Sequence, residues 1–226
     1  SCLIKFMALR KVPLVSGEYY HILNRGVAKM QIFNSLRDYE RFFRTMQYYK
    51  IDSDKPKFSA FSPNTFNIDS TKRTVEITAY CFMPNHFHFL LKQVKDKGIT
   101  EFMSKLSNSY AKYFNIKNER VGPLLQGDFK AIHIDDNEQL LQLARYIHLN
   151  PLVGFITKDL ETYKWSSYPE YVSSNEGGIC EKDIILSQFD NKNSYKQFVM
   201  DHIDYAKKLE HIKHLLIDSE SHSGWE

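Results

Sequence analysis

Two histidines separated by one residue stand inside an apolar run that reads Met83-Pro-Asn-His-Phe-His-Phe-Leu-Leu91. On a strand, side chains two residues apart project to the same face with backbone positions about 7 Å apart, so His86 and His88 can converge on one cation. Imidazole nitrogen is a frequent metal ligand. Histidine is also common at half-buried sheet positions without binding anything. The pair alone is therefore compatible with both interpretations.

A second group of polar side chains has the spacing of one helix face. Gln142, Tyr146 and Asn150 fall at i, i+4 and i+8 in a segment that we expect to be helical. Tyr146 and Asn150 would then face the same site. A single tyrosine at a helix margin usually has a packed ring and a solvated hydroxyl, so this helix by itself does not indicate catalysis.

The elements that must position these side chains follow from hydrophobic periodicity. Strands are predicted over 19–24, 74–82, 86–93 and 129–134, with a hairpin at Met83-Pro-Asn85; helices are predicted from Ser35, from Ile99 and from Asp135, the last ending before Pro151. The order β-α-β-β-α-β followed by a helix predicts an α+β fold. It is the ferredoxin-like, RRM-like arrangement, an antiparallel sheet with helices on one face and the other face free for a ligand.

The length of 226 residues allows one substantial domain and an appendage. We expect a catalytic domain over 1–155 and a C-terminal helical extension over 156–226, the extension having helix-patterned segments near 184–189, 195–202 and 205–217. The stretch from Asp52 to Arg73 is rich in Lys, Pro, Ser, Asn and Asp and predicts a long loop.

Charge is distributed unevenly along the chain. Residues 1–134 hold 21 Lys and Arg against 11 Asp and Glu, whereas residues 135–226 hold 9 against 16. A basic first part favours a polyanionic partner, although solvated surface charge is the commoner cause of such an excess.

The number of cysteines and the hydropathy of the chain indicate the cellular compartment. Three widely spaced cysteines exclude a dense disulfide framework and a paired-cysteine zinc motif, which favours a reducing cytoplasm. No apolar run approaches the roughly 20 residues of a membrane helix, so we expect no membrane association.

Four separated segments together indicate a family. These are Tyr20-His-Ile-Leu-Asn-Arg-Gly26, Met83-Pro-Asn-His-Phe-His88, Tyr146-Ile-His-Leu-Asn-Pro151 and Trp165-Ser-Ser-Tyr168. In this order and spacing, the sequence resembles the HUH single-tyrosine transposases, and most closely their REP-associated tyrosine transposase branch. The resemblance spans about residues 19–171, and its motifs are specific in combination.

The resemblance implies a metal-dependent enzyme that cleaves and joins single-stranded DNA through a 5′-phosphotyrosine. In that scheme Tyr146 is the nucleophile, and His86, His88 and Asn150 bind Mg²⁺ or Mn²⁺. Imidazole ligands favour manganese over magnesium, whereas the family points to either ion. The implied substrate is a DNA end bearing an imperfect, palindromic hairpin, and a homodimer and a single subunit both stay open.

Four basic residues are candidates for contacts with DNA. Basic candidates for phosphate or hairpin contacts are Arg25, Lys29, Lys112 and Lys130. Asp128 stands where many relatives have a basic residue, so the DNA path near that strand is expected to differ.

Two alternative functions stay open. One is an HUH nickase or replication initiator, and the other is a non-catalytic ferredoxin-like module that binds nucleic acid through exposed aromatics.

Overall fold

The computed structural model describes residues 13–52, 55–60, 71–173 and 178–203. Its centre is a four-stranded antiparallel sheet in the order β2-β3-β1-β4, formed by β1 (Tyr19–Arg25), β2 (Val75–Met83), β3 (His86–Gln93) and β4 (Lys130–His133). The strand order confirms the predicted ferredoxin-like α+β core. The predicted hairpin is confirmed too, because β2 and β3 are joined across Pro84-Asn85 and pair from Met83 and His86 onward.

One face of the sheet carries the aromatic core. Phe87 and Phe89 alternate with the histidines of β3, and we call the side on which they lie the aromatic face. Helix α1 (Leu36–Tyr49) packs there through Phe42. The centroid of the Phe42 ring lies 5.1 Å from that of Phe87 and 6.3 Å from that of Phe89. Helix α2 (Gly98–Lys117) joins it through Phe102, 6.0 Å from Phe89. Both helices of the ferredoxin-like core therefore lie on one face, as predicted.

The opposite side, which carries His86 and His88 and is called the histidine face here, is partly covered. Helix α3 (Asn137–Val153) packs over β2 and β3 on this side. Ala144 on its inner surface is fully buried, and so small a side chain allows close approach to the sheet. The half of the histidine face formed by β1 and β4 lies beside this helix, so the expected free face is reduced to that half.

The ends of α3 differ from the prediction. Its N-cap is Asp136, whose carboxylate accepts a hydrogen bond from Gln139 N at 2.8 Å, one residue after the predicted Asp135. The helix also continues through Pro151 to Val153, because Gly154 N donates to Asn150 O at 2.8 Å and preserves the last turn. Proline removes only its own N–H bond there, so the predicted stop at Asn150 was wrong.

The described part of the predicted extension consists of α4 (Tyr168–Val172), α5 (Asp183–Leu186) and α6 (Lys192–Met200). Residues 205–217, predicted to be helical, and most of the predicted 52–73 loop lie outside the described residues. The division into 1–155 and 156–226 stays a prediction. No described helix has the length and apolar content to cross a bilayer.

The residues just before α4 cover the edge of the sheet. Ser167 N donates to Tyr80 O at 3.0 Å and Phe82 N donates to Trp165 O at 2.8 Å, so this segment pairs with the outer edge of β2. An edge strand presents unpaired backbone groups, and a covering segment satisfies them.

The same covering segment is connected to α3 through a buried histidine. His148 is fully buried, with Nε2 2.8 Å from Ser167 Oγ and Nδ1 2.7 Å from the Tyr195 hydroxyl of α6. Ser167 Oγ also accepts a hydrogen bond from Tyr80 N at 2.9 Å. One imidazole thus joins α3 to β2 and to the extension.

Replacement of His148 by leucine should lower the free energy of unfolding by roughly 2–4 kcal/mol. The Tyr195 hydroxyl loses its buried partner, at about 1–3 kcal/mol, and loss of the bond to Ser167, whose hydroxyl keeps its contacts with Tyr80, adds about 1 kcal/mol. Urea denaturation followed by circular dichroism measures the loss. Tyr195→Phe, which removes one of the two bonds, should cost about 1 kcal/mol. Substitutions without structural consequence usually change the unfolding free energy by no more than about 0.5 kcal/mol. A change of about that size or less in His148→Leu would contradict the role of His148 in joining α3 to β2 and to α6.

Candidate active site

His86 and His88 project from the same face of β3, as their spacing predicts. Their ring centroids lie 5.1 Å apart with the ring planes nearly perpendicular, at 87°. His86 is partly exposed and its Nδ1 lies 2.6 Å from Asn85 Oδ1. His88 is buried, with 4% of its surface exposed, and its Nδ1 lies 2.9 Å from His21 Nε2. Each Nδ1 therefore has a partner that fixes the plane of its ring.

His21 belongs to β1 and reaches the site from the neighbouring strand. It pairs with Leu90 and lies diagonally beside His88, so the two imidazoles lie edge to edge, with centroids 5.1 Å apart and ring planes inclined by only 24°. Burial lowers the pKa of His21 to about 4, so this imidazole is neutral at physiological pH. A neutral ring can accept or donate one hydrogen bond at each nitrogen, depending on its tautomer.

Tyr146 is brought to the histidines by α3 of the same chain. Its ring lies edge-on to His88, with centroids 5.5 Å apart at 82°, and edge-on to His21, with centroids 6.2 Å apart at 77°. The side chain remains 40% exposed. Tyr146 is thus held against His21 and His88, while solvent and a ligand can still approach its exposed side.

Asn150 lies one helical turn after Tyr146 on the same side of α3. Its Nδ2 donates to the Tyr146 backbone carbonyl at 2.8 Å. That bond orients the amide and makes Oδ1 the atom of Asn150 that is suited to bind a cation. The role of Asn150 as a metal ligand stays a prediction.

A divalent cation fits the donor set of this site. A histidine that binds a metal almost always engages a partner through its other ring nitrogen. His86 and His88 both have a partner at Nδ1, so Nε2 is the nitrogen through which each would bind a cation. No group of three or more His, Cys, Asp and Glu suited to a metal occurs within the ranges that the structure describes. The remaining ligands would therefore be the Asn150 oxygen, water and substrate oxygens.

Two of the four basic candidates share the face of the site. Leu23 pairs with His88 on one side and with Lys130 on the other, and Arg25 pairs with His86. Cross-strand partners project to the same side, and adjacent strands lie about 4.8 Å apart, so Lys130 is based about 10 Å from His88. Both basic side chains are exposed. They line the half of the histidine face that α3 leaves uncovered.

The other two basic candidates lie elsewhere. Lys29 sits in a loop at the His86 end of the sheet, where its backbone carbonyl accepts a hydrogen bond from Asn85 Nδ2 at 3.3 Å. Lys112 is exposed on α2, which packs on the aromatic face, so the structure does not bring it to the site. The exposed Asp128 precedes β4 and contributes a negative charge near Lys130.

His21 is the site residue that sequence reasoning missed. It lies 67 positions before its partner His88. Its motif, Tyr20-His-Ile-Leu-Asn-Arg-Gly26, was part of the family resemblance, but only the pairing of β1 with β3 places it beside the histidine pair. A histidine in a predicted strand carries no indication of the register in which that strand pairs with another.

Sequence and structure comparisons show what this chain is similar to. Residues 61–150 match the family model described as "Transposase IS200 like". Among curated proteins, no sequence matches the chain. A solved structure of a REP-associated tyrosine transposase bound to a REP hairpin has a TM-score of 0.52 at 16% identity, over 76% of this chain and 90% of that one. This likeness shows a shared fold.

Two more distant structures have lower similarity. A putative transposase of Deinococcus radiodurans gives a TM-score of 0.36 at 14% identity, over 63% of this chain and 95% of that one. The tRNA(His) guanylyltransferase of Saccharomyces cerevisiae gives 0.32 at 11% identity, over 89% and 82%. Scores this low carry no argument about fold or function.

Stability should fall in mild acid because of the buried histidines. The pKa values of His21 and His148, about 4 and about 3 because of burial, lie below the ordinary 6.5, so the unfolded chain binds more protons below pH 6.5. Each contributes a loss of about 1.4 kcal/mol per pH unit as pH falls from 6.5 toward its folded pKa. The unfolding free energy of His21→Gln should therefore depend less steeply on pH, by about 1.4 kcal/mol per pH unit over roughly pH 6 to 4.5, a window that lies between the unfolded and folded pKa values of His21. Urea titrations without divalent ions measure it, and equal slopes in both proteins would contradict a buried neutral His21.

Proposed function

We propose that this chain, whose residues 61–150 match the family model described as "Transposase IS200 like", cleaves and rejoins single-stranded DNA through a covalent bond to Tyr146. The observation that carries the proposal is the contact between the Tyr146 ring and the two buried imidazoles of the histidine face. Tyr146, the proposed nucleophile, thus lies beside His88, a proposed metal ligand, and beside His21, which is hydrogen-bonded to His88, although the three come from distant parts of the sequence.

The proposed reaction is a transesterification at a phosphodiester. The Tyr146 oxygen forms a bond to phosphorus, the bond from phosphorus to the 3′ oxygen breaks, and the phenolic proton is released as the leaving 3′ oxygen takes up a proton. The DNA is left with its 5′ phosphate on Tyr146 and a free 3′ hydroxyl. Attack by another 3′ hydroxyl on the phosphotyrosine reverses the chemistry and joins strands, so no nucleotide cofactor is required.

His86, His88 and Asn150 would hold a divalent cation, Mg²⁺ or Mn²⁺, beside the nucleophile. A phenol with a pKa of about 10 is mostly protonated at neutral pH and needs assistance to attack phosphorus. When bound, the cation supplies that assistance by polarising a phosphate oxygen and orienting the scissile bond. Exposure of Tyr146 gives the substrate access to it.

The proposed substrate path crosses the uncovered half of the histidine face. Lys130 and Arg25 project there beside Leu23 and the exposed Ile132, a mixture of charge and apolar surface that suits backbone phosphates and bases. The substrate would be a single strand flanked by a palindromic hairpin, as the resemblance to REP-associated tyrosine transposases implies. A homodimer is not required for this site, since one chain provides both halves of it.

Two alternatives differ in what they predict. A nickase or replication initiator would use the same tyrosine and form the same adduct, without joining a second end. A non-catalytic nucleic-acid-binding module would bind DNA without any covalent adduct. The exposed tyrosine against two imidazoles favours the catalytic alternatives.

Covalent capture tests the proposed nucleophile. The wild-type chain, mixed with Mn²⁺ and a hairpin-bearing single strand labelled on the 3′ side of the scissile bond, should give an adduct that survives denaturing gel electrophoresis. Tyr146→Phe should lose the adduct completely, because it lacks the attacking oxygen.

The matched control is Tyr19→Phe, a half-buried tyrosine of β1 that is outside the proposed machinery and should form the adduct normally. An undiminished adduct with Tyr146→Phe would remove Tyr146 from the nucleophile's role.

The path of the DNA can be tested with a matched pair of lysines. Lys130→Gln should weaken binding to single-stranded DNA and lower the slope of log K against log salt by about 0.7, the contribution of one phosphate contact. Lys112→Gln removes the same charge from the opposite side of the sheet and should leave affinity and slope unchanged. Fluorescence anisotropy titrations at several salt concentrations measure both. Equal effects of the two substitutions would show that net charge, and not the proposed path, determines binding.

A further inference from the structure

We propose that His21 is a positioning residue that holds His88 in the only tautomer able to bind a divalent cation through Nε2. This inference rests on the proposed function of His88 as a metal ligand. It assigns a task to a residue that lies outside the His86-Phe-His88 motif and makes no proposed contact with metal or DNA.

The geometry is that of a dedicated hydrogen bond between two imidazoles. His21 Nε2 and His88 Nδ1 lie 2.9 Å apart, a normal length for such a bond. His21 and His88 are 9% and 4% exposed, so water hardly competes for either nitrogen. The two ring planes are inclined by only 24°, so the hydrogen bond lies nearly in the plane of both rings, and rotation of either ring about its side-chain bonds would break it.

A hydrogen bond between two neutral imidazoles contains one proton, and its position decides what His88 can do. If His88 Nδ1 carries the proton and His21 Nε2 accepts, His88 Nε2 has a lone pair for a cation. If His21 Nε2 donates instead, the proton of His88 is on its own Nε2, and that atom cannot be a ligand. Metal binding through Nε2 therefore requires His21 to be the acceptor.

The same contact bears on the nucleophile. The Tyr146 ring lies edge-on to His21 as well as to His88, at centroid distances of 6.2 and 5.5 Å. Direct ligation by His21 Nε2 would break its hydrogen bond to His88 Nδ1. The arrangement thus favours His21 as a support for His88 and not as a third histidine ligand.

The tautomer can be read directly, without metal or DNA. Nitrogen-15 NMR of the full chain labelled at histidine, recorded at neutral pH without divalent ions, should show His88 protonated at Nδ1 and bare at Nε2. In His21→Leu the acceptor is gone, and His88 should shift toward the Nε2-protonated form. A wild-type His88 already protonated at Nε2 would overturn the proposal.

Metal affinity provides the second readout. Calorimetric titration with Mn²⁺ should show binding weakened about 10- to 100-fold in His21→Leu, the usual effect of removing a partner of a ligating histidine. In His21→Gln, an acceptor oxygen near the position of Nε2 should restore affinity to within a few-fold of wild type. The matched control is His133→Gln, a histidine of β4 that projects to the aromatic face, away from the site, and this variant should bind Mn²⁺ with unchanged affinity.

The outcomes separate this inference from the proposed function. Unchanged Mn²⁺ affinity in His21→Leu, or equal loss in the leucine and glutamine variants, would overturn the positioning role even if the enzyme forms its adduct. Absence of Mn²⁺ binding by the wild type would instead count against the proposed metal site, and the NMR tautomer would still decide the role of His21.

Discussion

The packing of α3 across β2 and β3 is the contact on which the site depends. The histidine pair belongs to the sheet and the tyrosine to this helix, and nothing in their local sequence brings them together. Ala144 lets the helix approach closely, and His148, two residues after Tyr146, is hydrogen-bonded to Ser167 beside β2. A rotation or shift of α3 would therefore carry the Tyr146 ring away from His21 and His88, even if the helix and the strands themselves kept their structure.

The extension after α3 helps to hold that helix in place. Its first segment covers the edge of β2 and supplies Ser167, and α6 supplies Tyr195 to the other nitrogen of His148. Arg145, next to Tyr146, lies over the Phe198 ring at 4.4 Å and donates to the Phe198 carbonyl at 3.3 Å. These buried contacts mean that the C-terminal part contributes to the geometry of the site as well as to its stability.

Local patterns in the sequence were sufficient to predict the order of the strands and helices of the core, and to predict which residues of one strand or helix share a side. The alternation of β3 predicts a common face for His86 and His88, and helical spacing predicts a common side for Tyr146 and Asn150. What depends on register could not be predicted: the His21 contact needs the pairing of β1 with β3, and the separation of Lys130 from Lys112 needs the assignment of each to a face of the sheet. The helix continuing through Pro151 was also missed, because neighbouring bonds compensate for the one that proline lacks.

The central claim is that the tyrosine and the histidines of one copy form one site, and mixing two inactive variants tests it most directly. One variant is Tyr146→Phe, and the other combines His86→Ala with His88→Ala, each carrying a tag of different size. With labelled hairpin-bearing DNA and Mn²⁺, the account predicts no adduct in the mixture, because neither copy holds both halves of the site. An adduct on the histidine-deficient chain would contradict it, since Tyr146 would then be reaching the histidines of another copy.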